Sequence, residues 1–335
     1  MKGQQSLRLL RQLTNGTQQS FSKRLAHGQS AAGSLRDHED IIIQMPWGHI
    51  AGKWYGRKDV RPILGIHGWM DNAGTFDTLA PLLPAHLPLL TIDAPGHGLS
   101  SWLPKGTAYH SIELVQLMRR IIKYFNWEKL SLLGHSMSSL NGFVFGSMFP
   151  DKLDMFIGLD VMKPLIRSEK TFINKLAERL ENNLKLEERM LEGTEPPSYE
   201  WDKLVERMHL GTRKSISLES CQYILKRSCK PSKQDPNRFY FSHDNRVKAA
   251  FVYTLSNETV LEMAARINVP YLFIKALQAP YYEDKKYYNA ALDVLRKNPQ
   301  FEYYEVEGSH HVHLNEPEKV APLINAFINK YRPDV

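Results

Sequence analysis

The sequence predicts an α/β protein: a mostly parallel central sheet with helices on both faces and an inserted helical cap. Short runs that are apolar throughout alternate with segments whose apolar residues recur at helical spacing. Strands have this composition when helices cover both faces of a parallel sheet. Residues 37–163 and 267–335 show this alternation and form the predicted core. Residues 164–266 carry charged, amphipathic helical patterns and no convincing buried strand, which predicts the cap.

Runs rich in apolar and aromatic residues predict the strands. The first two runs lie on either side of Pro46 and Trp47 and predict a hairpin of two edge strands. The later runs each stop at a polar or glycine-containing segment, where a loop is expected to begin. The predicted strands are Ile41–Ile43, Gly48–Tyr55, Pro62–Ile66, Leu87–Ile92, Leu130–Leu133, Met155–Leu159, Val269–Ile274 and Phe301–Val306.

Apolar residues spaced three or four apart predict the helices of the core. Residues 112–125 and 289–297 form two such helices. Asn315 is expected to cap a terminal helix, with Glu318 three residues on as its capping-box partner. Pro322 is expected to kink that helix.

The positive charge of the chain is concentrated at its N-terminus. The formal net charge is +7, and residues 1–36 contain six basic and no acidic residues. The remaining chain is nearly neutral, so it lacks the basic groove with which proteins bind nucleic-acid phosphates. We therefore expect no nucleic-acid partner.

Residues 1–36 form a basic N-terminal segment whose leucines and arginines segregate onto two faces of a short helix. An arginine-rich, acid-poor, amphipathic leader is typical of a mitochondrial transit peptide. A disordered basic tail on a cytoplasmic protein is the alternative. No run of about 18 apolar residues occurs, so we expect no membrane span.

Ser136 lies where a buried strand turns directly into a helix. A corner of this kind forces a positive φ and lifts the hydroxyl above the sheet. The neighbouring residues must then be small. Gly134 satisfies this demand, whereas Ser138 stands where the G-x-S-x-G elbow carries glycine. A hydroxyl in this position becomes a nucleophile when a base takes its proton.

Several residues that can carry chemistry follow the carboxyl ends of predicted strands, which share one rim of a parallel sheet. They are His67-Gly68-Trp69, Ser136, Asp160 and His310. The order of these motifs resembles the α/β-hydrolase superfamily over roughly residues 40–330. Within it, the chain resembles the kraken-type serine hydrolase-like proteins in four segments: Pro46–Ile50, His67–Asn72, Gly134–Ser136 and His311–Pro317.

The resemblance implies a catalytic base at the first histidine after the Gly308-Ser309 turn. That residue is His310, and His311 stays open as an alternative because the doubled histidine blurs the register. His313 is interpreted as structural. We expect no metal site at these three histidines, since no carboxylate or cysteine clusters beside them in the sequence.

The triad acid is where the sequence departs from the superfamily pattern. Members commonly carry it after the strand predicted at Val269–Ile274, where this chain has Gln278. Glutamine can orient an imidazole but cannot stabilise its cation. Asp160, at the end of the preceding strand, occupies a position that some capped members use for the acid. We favour Asp160, with Glu283 and Asp284 as alternatives.

Backbone N–H groups are expected to bind the oxyanion of an acyl-transfer reaction. The resemblance implies the N–H of Met137, directly after the nucleophile, and the N–H of Trp69, directly after His67-Gly68. His97, in the next turn along the rim, is interpreted as structural.

Together these residues predict a serine hydrolase that cleaves a small or medium hydrophobic carboxylic ester through an acyl-enzyme. Serine rather than aspartate at the elbow argues against haloalkane and epoxide hydrolysis. A ligand-binding protein with impaired catalysis and an acyltransferase are the alternatives. The cap aromatics Phe239–Phe241 either line the acyl pocket or pack within the cap.

The remaining composition predicts no further chemistry. Cys221 and Cys229, the two cysteines of the chain, suit a reducing compartment without a disulfide framework and lack the second pair of a four-cysteine zinc site. We expect neither a cofactor nor a metal, and a small-molecule ester as the partner. The oligomeric state is not predicted.

Overall fold

An eight-stranded sheet runs through the part of the chain that the computed structural model describes, residues 37–253 and 255–333. The strands are β1 (His38–Met45), β2 (Gly48–Tyr55), β3 (Ile63–Ile66), β4 (Leu89–Ile92), β5 (Leu130–His135), β6 (Leu153–Leu159), β7 (Cys229–Pro231), β8 (Phe239–Phe241), β9 (Tyr271–Ala276) and β10 (Phe301–Val306). The order across the large sheet is β1-β2-β4-β3-β5-β6-β9-β10. From β4 to β10 in this order the strands are parallel, which confirms the predicted mostly parallel sheet.

Strand β2 is not an edge strand, contrary to the prediction. It pairs antiparallel with β1 along its whole length and antiparallel with β4 through Gly52–Tyr55. Its C-terminal half is accordingly buried, whereas β1 is mostly exposed or half-buried. The edge on this side of the sheet is β1.

Helices cover both faces of the sheet. They are α1 (Ile112–Tyr124), α2 (Met137–Met148), α3 (Glu169–Glu192), α4 (Trp201–Gly211), α5 (Cys221–Ser228), α6 (Asn257–Arg266), α7 (Lys285–Leu295), α8 (Val312–Asn315) and α9 (Ala321–Tyr331). Successive strand residues point to opposite faces. Leu64 and Ile66 therefore join the core cluster that contains α1, α2, α6 and α7, whereas Ile63 joins the cluster that contains α9.

The segment between β6 and β9 contains α3 to α6 and the two-stranded β7–β8 sheet. Helices α4 and α5 bury a small apolar cluster of their own with Phe239. The β7–β8 pair escaped the sequence analysis because strands of three residues are too short to show a period. Helix α6 packs differently, since Val260 and Ala264 belong to the core beside the large sheet. The predicted cap, residues 164–266, includes α6, although this helix packs against the core of the large sheet.

The terminal helix begins later than predicted. Asn315 ends α8, and its side chain bonds the backbone of Ser215 and Ser217 in the insertion rather than a helix N-terminus. Helix α9 starts at Ala321, so Pro322 lies in its first turn, where a missing N–H is tolerated. The predicted cap at Asn315 is therefore wrong, and Pro322 begins the helix instead of kinking it.

The predicted basic leader, residues 1–36, lies outside the described residues. Among the helices of the described ranges, none is long and apolar enough to cross a membrane. Cys221 and Cys229 are both buried free thiols.

A buried ion pair joins the insertion to the turn after β4. The guanidinium of Arg227, on α5, donates from Nη2 to Asp93 Oδ2 at 2.8 Å, and both side chains are buried. Asp93 also accepts the backbone N–H groups of Ala73 and Leu99, as expected of an aspartate in a tight turn. Burial alone would raise the pKa of Asp93, but the charge of Arg227 and the hydrogen bonds from Arg227, Ala73 and Leu99 together lower that pKa.

We predict that Arg227→Leu lowers the free energy of unfolding by about 3–5 kcal/mol, because it leaves the Asp93 carboxylate buried without its counter-ion. Chemical denaturation monitored by circular dichroism measures the change. Arg266→Leu is the matched control, since its ion pair with Glu262 is about two-thirds exposed and pairs of this kind contribute about 0.5 kcal/mol or less. Equal effects of the two substitutions would contradict the assigned role of Arg227.

Candidate active site

Ser136 stands at the corner between β5 and α2, in the strained conformation that the sequence predicts. Its φ is 53° and its ψ is −113°, values that non-glycine residues adopt only where the surrounding structure enforces them. The backbone around it is fixed from both sides, since Ser136 N–H donates to Leu159 O and Leu140 N–H donates to Ser136 O. The hydroxyl faces the main cavity of the described residues.

Gly134 makes this corner sterically feasible. A Cβ at this position would lie 2.7 Å from the backbone of Ser138 and Ser139. Ser138 is tolerated where the elbow pattern carries glycine, because its hydroxyl is buried and donates to the carbonyl of His67. The departure from G-x-S-x-G therefore adds a hydrogen bond between α2 and the loop after β3.

His310 lies beside the Ser136 hydroxyl. It follows β10 through the turn at Gly308, and its Nε2 is 2.9 Å from Ser136 Oγ. Its Nδ1 makes a short hydrogen bond with Asp160 Oδ2. The three side chains thus form a continuous hydrogen-bonded chain from the hydroxyl to a buried carboxylate.

Asp160 is held in place by more than His310. Asp160 directly follows β6 and has a φ of 69°. Its Oδ1 accepts hydrogen bonds from Lys275 Nζ at 2.6 Å and from the N–H of Ala276 at 3.1 Å. Burial would raise the pKa of this carboxyl, but the hydrogen bond from His310 and the charges of His310 and Lys275 lower it. Asp160 is therefore ionised at neutral pH.

The other acid candidates do not reach His310. Gln278 is exposed, and its described hydrogen bond is a backbone bond to Gly308. Glu283 forms a buried ion pair with Lys163. Asp284 is exposed and caps α7 by accepting the N–H of Lys286.

Lys275 was not identified from the sequence. It is the fifth residue of β9, and its Nζ is buried against Asp160 and the carbonyls of Ala276 and Ala279. A lysine inside an otherwise apolar strand was the available signal, since a buried ammonium requires a carboxylate partner.

The two neighbouring histidines make other contacts. His311 Nδ1 is 2.9 Å from Ser215 Oγ, and His313 Nε2 is 3.0 Å from Thr75 Oγ1. Both rings are buried. The geometry therefore favours His310 over His311 as the partner of Ser136 and agrees with the structural interpretation of His313.

The loop after β3 packs against Ser136. His67 donates from Nδ1 to Gly68 O at 2.7 Å and accepts the N–H of Ala94 at Nε2. Because a trans peptide points its N–H opposite to its carbonyl, this bond orients the N–H of Trp69. A Cβ on Gly68 would lie 3.2 Å from Ser136 Cβ, so the loop packs directly on the corner.

Met137 supplies the second candidate donor. It is the first residue of α2, where the N–H has no partner within the helix and the helix dipole favours a negative charge. Trp69 and Met137 both line the cavity. His97 lines it as well, but its ring bonds Pro95 O and the N–H of Met70, as expected for a structural residue.

A cavity of about 760 Å³ opens over Ser136 and His310. Its apolar lining includes Leu114, Met137, Leu140, Val161 and Leu165. Phe239–Phe241 do not line it; Phe239 and Phe241 pack with α4 and α5 instead, so the pocket-lining alternative for these aromatics is wrong. Exposed basic side chains occur at the cavity too, namely Arg213, Lys214 and Lys248.

Backbone strain is concentrated around this cavity. Within the described ranges, seven non-glycine residues have a positive φ. Of these, Asn126 lies elsewhere, and the others line the cavity or bond His310: Met70, Ser136, Asp160, Arg213, Lys214 and Tyr282. Strain of this kind gathers at functional sites, where the surrounding structure compensates for it.

The fold and the serine corner define a class of protein that sequence comparison also identifies. Residues 61–317 match the family described as alpha/beta hydrolase fold, and the chain belongs to this family. Its relatives include a probable serine hydrolase of Drosophila melanogaster, 33% identical over 87% of this chain and 88% of the relative. A serine hydrolase-like protein of Mus musculus is 32% identical over 87% of this chain and 96% of the relative.

The chain is thus a serine hydrolase-like protein of the α/β-hydrolase fold, as the sequence motifs predicted. Among solved structures, a hypothetical protein of Pseudomonas aeruginosa PAO1 has a TM-score of 0.73 and 25% identity, covering 88% of this chain and 99% of that one. A thioesterase domain from the curacin biosynthetic pathway has a TM-score of 0.69, 21% identity and coverages of 86% and 99%, which shows the shared fold. The family match and the serine hydrolase-like relatives support a hydrolase-type function.

We predict that Gly134→Ala destabilises the protein by about 1–3 kcal/mol, the usual cost of forcing extra volume into a packed site, and lowers any activity that depends on Ser136. Gly146→Ala, in helix α2 directly after the corner, is the control: its Cβ would approach Leu153 Cδ2 no closer than 3.3 Å. Alanine is favoured over glycine inside a helix by about 0.5–1 kcal/mol. Thermal denaturation of both variants measures the difference, and a neutral Gly134→Ala would contradict the described corner.

Proposed function

We propose that this protein is a serine hydrolase that cleaves a small or medium hydrophobic carboxylic ester through an acyl-enzyme intermediate. Ser136 is the nucleophile, His310 the base and Asp160 the acid. One observation carries the proposal: Ser136 Oγ lies 2.9 Å from His310 Nε2, while the other ring nitrogen of His310 bonds a buried carboxylate. Nucleophile, base and orienting group in this order are the requirements of acyl transfer by serine.

In the proposed reaction, Ser136 Oγ forms a bond to the ester carbonyl carbon as its proton passes to His310 Nε2. Asp160 stabilises the imidazolium through Nδ1. The carbonyl oxygen becomes an oxyanion and accepts hydrogen bonds from the N–H groups of Trp69 and Met137. Collapse of the tetrahedral intermediate breaks the bond to the alcohol oxygen, which receives the proton from His310. Water then attacks the acyl carbon as His310 takes its proton. The bond to Ser136 Oγ breaks, Oγ receives that proton from His310, and the carboxylic acid is released.

The cavity supports the substrate class. A volume of about 760 Å³ lies within the range of about 300–1,000 Å³ that holds a small-molecule ligand, and its apolar lining suits an acyl or alcohol group without charge. The exposed Arg213, Lys214 and Lys248 add a positive field at the cavity. An ester panel for this protein should therefore vary the acyl length and also include esters with a terminal carboxylate.

A second candidate function, ligand binding with impaired catalysis, is favoured by Lys275. Its ammonium pairs with Asp160 Oδ1 at 2.6 Å, so part of the negative charge that would stabilise the His310 cation is already neutralised. Saturable binding of an apolar ester without turnover would support this alternative. Transfer of the acyl group to an added alcohol in place of water would support an acyltransferase.

We predict that Ser136→Ala abolishes both labelling by a fluorophosphonate and turnover of p-nitrophenyl esters, reducing kcat by at least about 10⁴-fold, because the variant has no hydroxyl to acylate. Intact-protein mass spectrometry and initial rates measure the two effects. Ser138→Ala is the control, since that hydroxyl bonds His67 O within the protein. Undiminished turnover by Ser136→Ala would remove this residue from the mechanism.

We predict that Asp160→Asn lowers kcat by about 10³- to 10⁴-fold, because the amide cannot stabilise the His310 cation. The protein should stay folded but lose stability, because Lys275 is left without its buried carboxylate partner. Asp284→Asn should leave kcat unchanged, since this exposed carboxylate caps α7. Steady-state kinetics with circular dichroism as the folding check compares them. The reverse ranking would show that the acid was assigned to the wrong carboxylate.

A further inference from the structure

Three hydrogen-bond acceptors converge behind the candidate active site. They belong to Asp71, His135 and His311, which are 4%, 0% and 6% exposed. His135 Nδ1 lies 3.7 Å from Asp71 Oδ2, and His311 Nε2 lies 3.9 Å from the same oxygen. These three ligand atoms all lie within 4.8 Å of one another.

The hydrogen bond on the far side of the His135 ring determines its tautomer. His135 Nε2 is 2.9 Å from the carbonyl oxygen of His310, and a carbonyl can only accept, so Nε2 carries the proton. Nδ1 then holds a lone pair, and it has no hydrogen-bond partner among the described residues. Burial lowers the pKa of His135 well below its ordinary value, so the ring is neutral.

His311 is arranged in the same way. Ser215 donates its single hydroxyl hydrogen to Thr212 O at 2.7 Å, so Ser215 Oγ accepts a hydrogen bond from His311 Nδ1 at 2.9 Å. The lone pair of His311 is therefore on Nε2, the atom that faces Asp71. Burial also lowers the pKa of His311 well below its ordinary value.

Asp71 completes the cluster with a carboxylate oxygen. Its Oδ1 accepts the N–H of Asn72 at 2.7 Å, whereas Oδ2, the atom near both imidazoles, has no hydrogen-bond partner within residues 37–253 and 255–333. Two of these buried acceptors, Asp71 Oδ2 and His135 Nδ1, have no hydrogen-bond partner among the described residues, and an unpaired buried acceptor destabilises the fold. Burial raises the pKa of Asp71 to about 6, so above that pH the carboxyl is ionised and a cation would balance the three acceptors.

We propose that Asp71 Oδ2, His135 Nδ1 and His311 Nε2 bind a divalent transition-metal cation, with zinc as the best match. Two neutral imidazoles and one carboxylate form a common zinc donor set, and the ligand atoms of a tetrahedral zinc lie about 3.4 Å apart. Each histidine already donates its other ring N–H to an oxygen, the usual arrangement behind a metal-ligating histidine. All three residues also line the cavity.

Metal binding at this site would be additional to the proposed hydrolysis. Its ligands are neighbours of the groups proposed for that reaction. His135 directly precedes Ser136, His311 directly follows His310, and Asp71 lies two residues after Trp69. A bound cation would fix the positions of these three loops relative to one another. Sequence analysis missed the site because it examined His310, His311 and His313 as a local cluster, whereas Asp71 and His135 join His311 only in the folded chain.

Calorimetric titration of the chelator-treated full chain with zinc chloride tests the proposal. Wild type should bind one equivalent, and Asp71→Asn and His311→Gln should weaken binding by at least about 100-fold, since even residues that only orient ligands contribute 10- to 100-fold. His110→Gln is the control for adventitious binding, because His110 is an exposed histidine at the same cavity. Ser136→Ala should still bind zinc, so that loss of hydrolysis and loss of binding are separable.

A zinc-edge anomalous diffraction map of the zinc-loaded protein provides the second readout. The expected peak lies about 2.0–2.2 Å from the three ligand atoms. The substituted amide of Asp71→Asn can donate to the imidazole lone pairs, so this variant should remain folded without metal, which thermal denaturation checks. Absence of stoichiometric binding in wild type, an equal loss in His110→Gln, or a peak away from the cluster would each overturn the proposal.

Discussion

The hydrogen bond between Ser136 Oγ and His310 Nε2 joins residues 174 positions apart in the chain. It exists only because a strained serine and a loop near the C-terminus reach the same rim of the sheet. Ser136 is held at a positive φ by backbone bonds to β6 and within α2. His310 is held by Asp160, which ends β6. Strand β6 therefore anchors both partners, and the parallel sheet sets their separation.

Two buried ion pairs hold loops at this rim of the sheet in place. Lys275 fixes Asp160 from β9, and Arg227 fixes the turn after β4 from α5. Removing one partner of such a pair exposes the other to the full cost of an unpaired buried charge. The ion pairs thus specify the positions of loops that hydrophobic packing alone would leave adjustable. The lone pairs of Asp71, His135 and His311 suggest a third support of the same kind, with a cation as the missing partner.

The fold and the serine corner could be predicted because each rests on a local pattern. Apolar runs and helical spacing defined the layers, and the strand–serine–helix corner placed Ser136 at the rim. Asp160 could be proposed from its position at the end of a strand, although Gln278 occupied the usual place of the acid. What the sequence could not reveal depends on contacts between distant segments. Lys275 beside Asp160, Asn315 bonded to the insertion, and Asp71 beside His135 are examples.

The hydrolase proposal rests on a covalent bond between Ser136 and the acyl group of an ester substrate. Acid quenching within the first turnover of a slowly deacylating p-nitrophenyl ester, followed by peptide mass mapping, measures that bond directly. The acyl mass should appear on the peptide containing Ser136 and at that residue in its fragment ions. Turnover with no acylated peptide, or with the acyl mass on another residue, would contradict nucleophilic catalysis by Ser136.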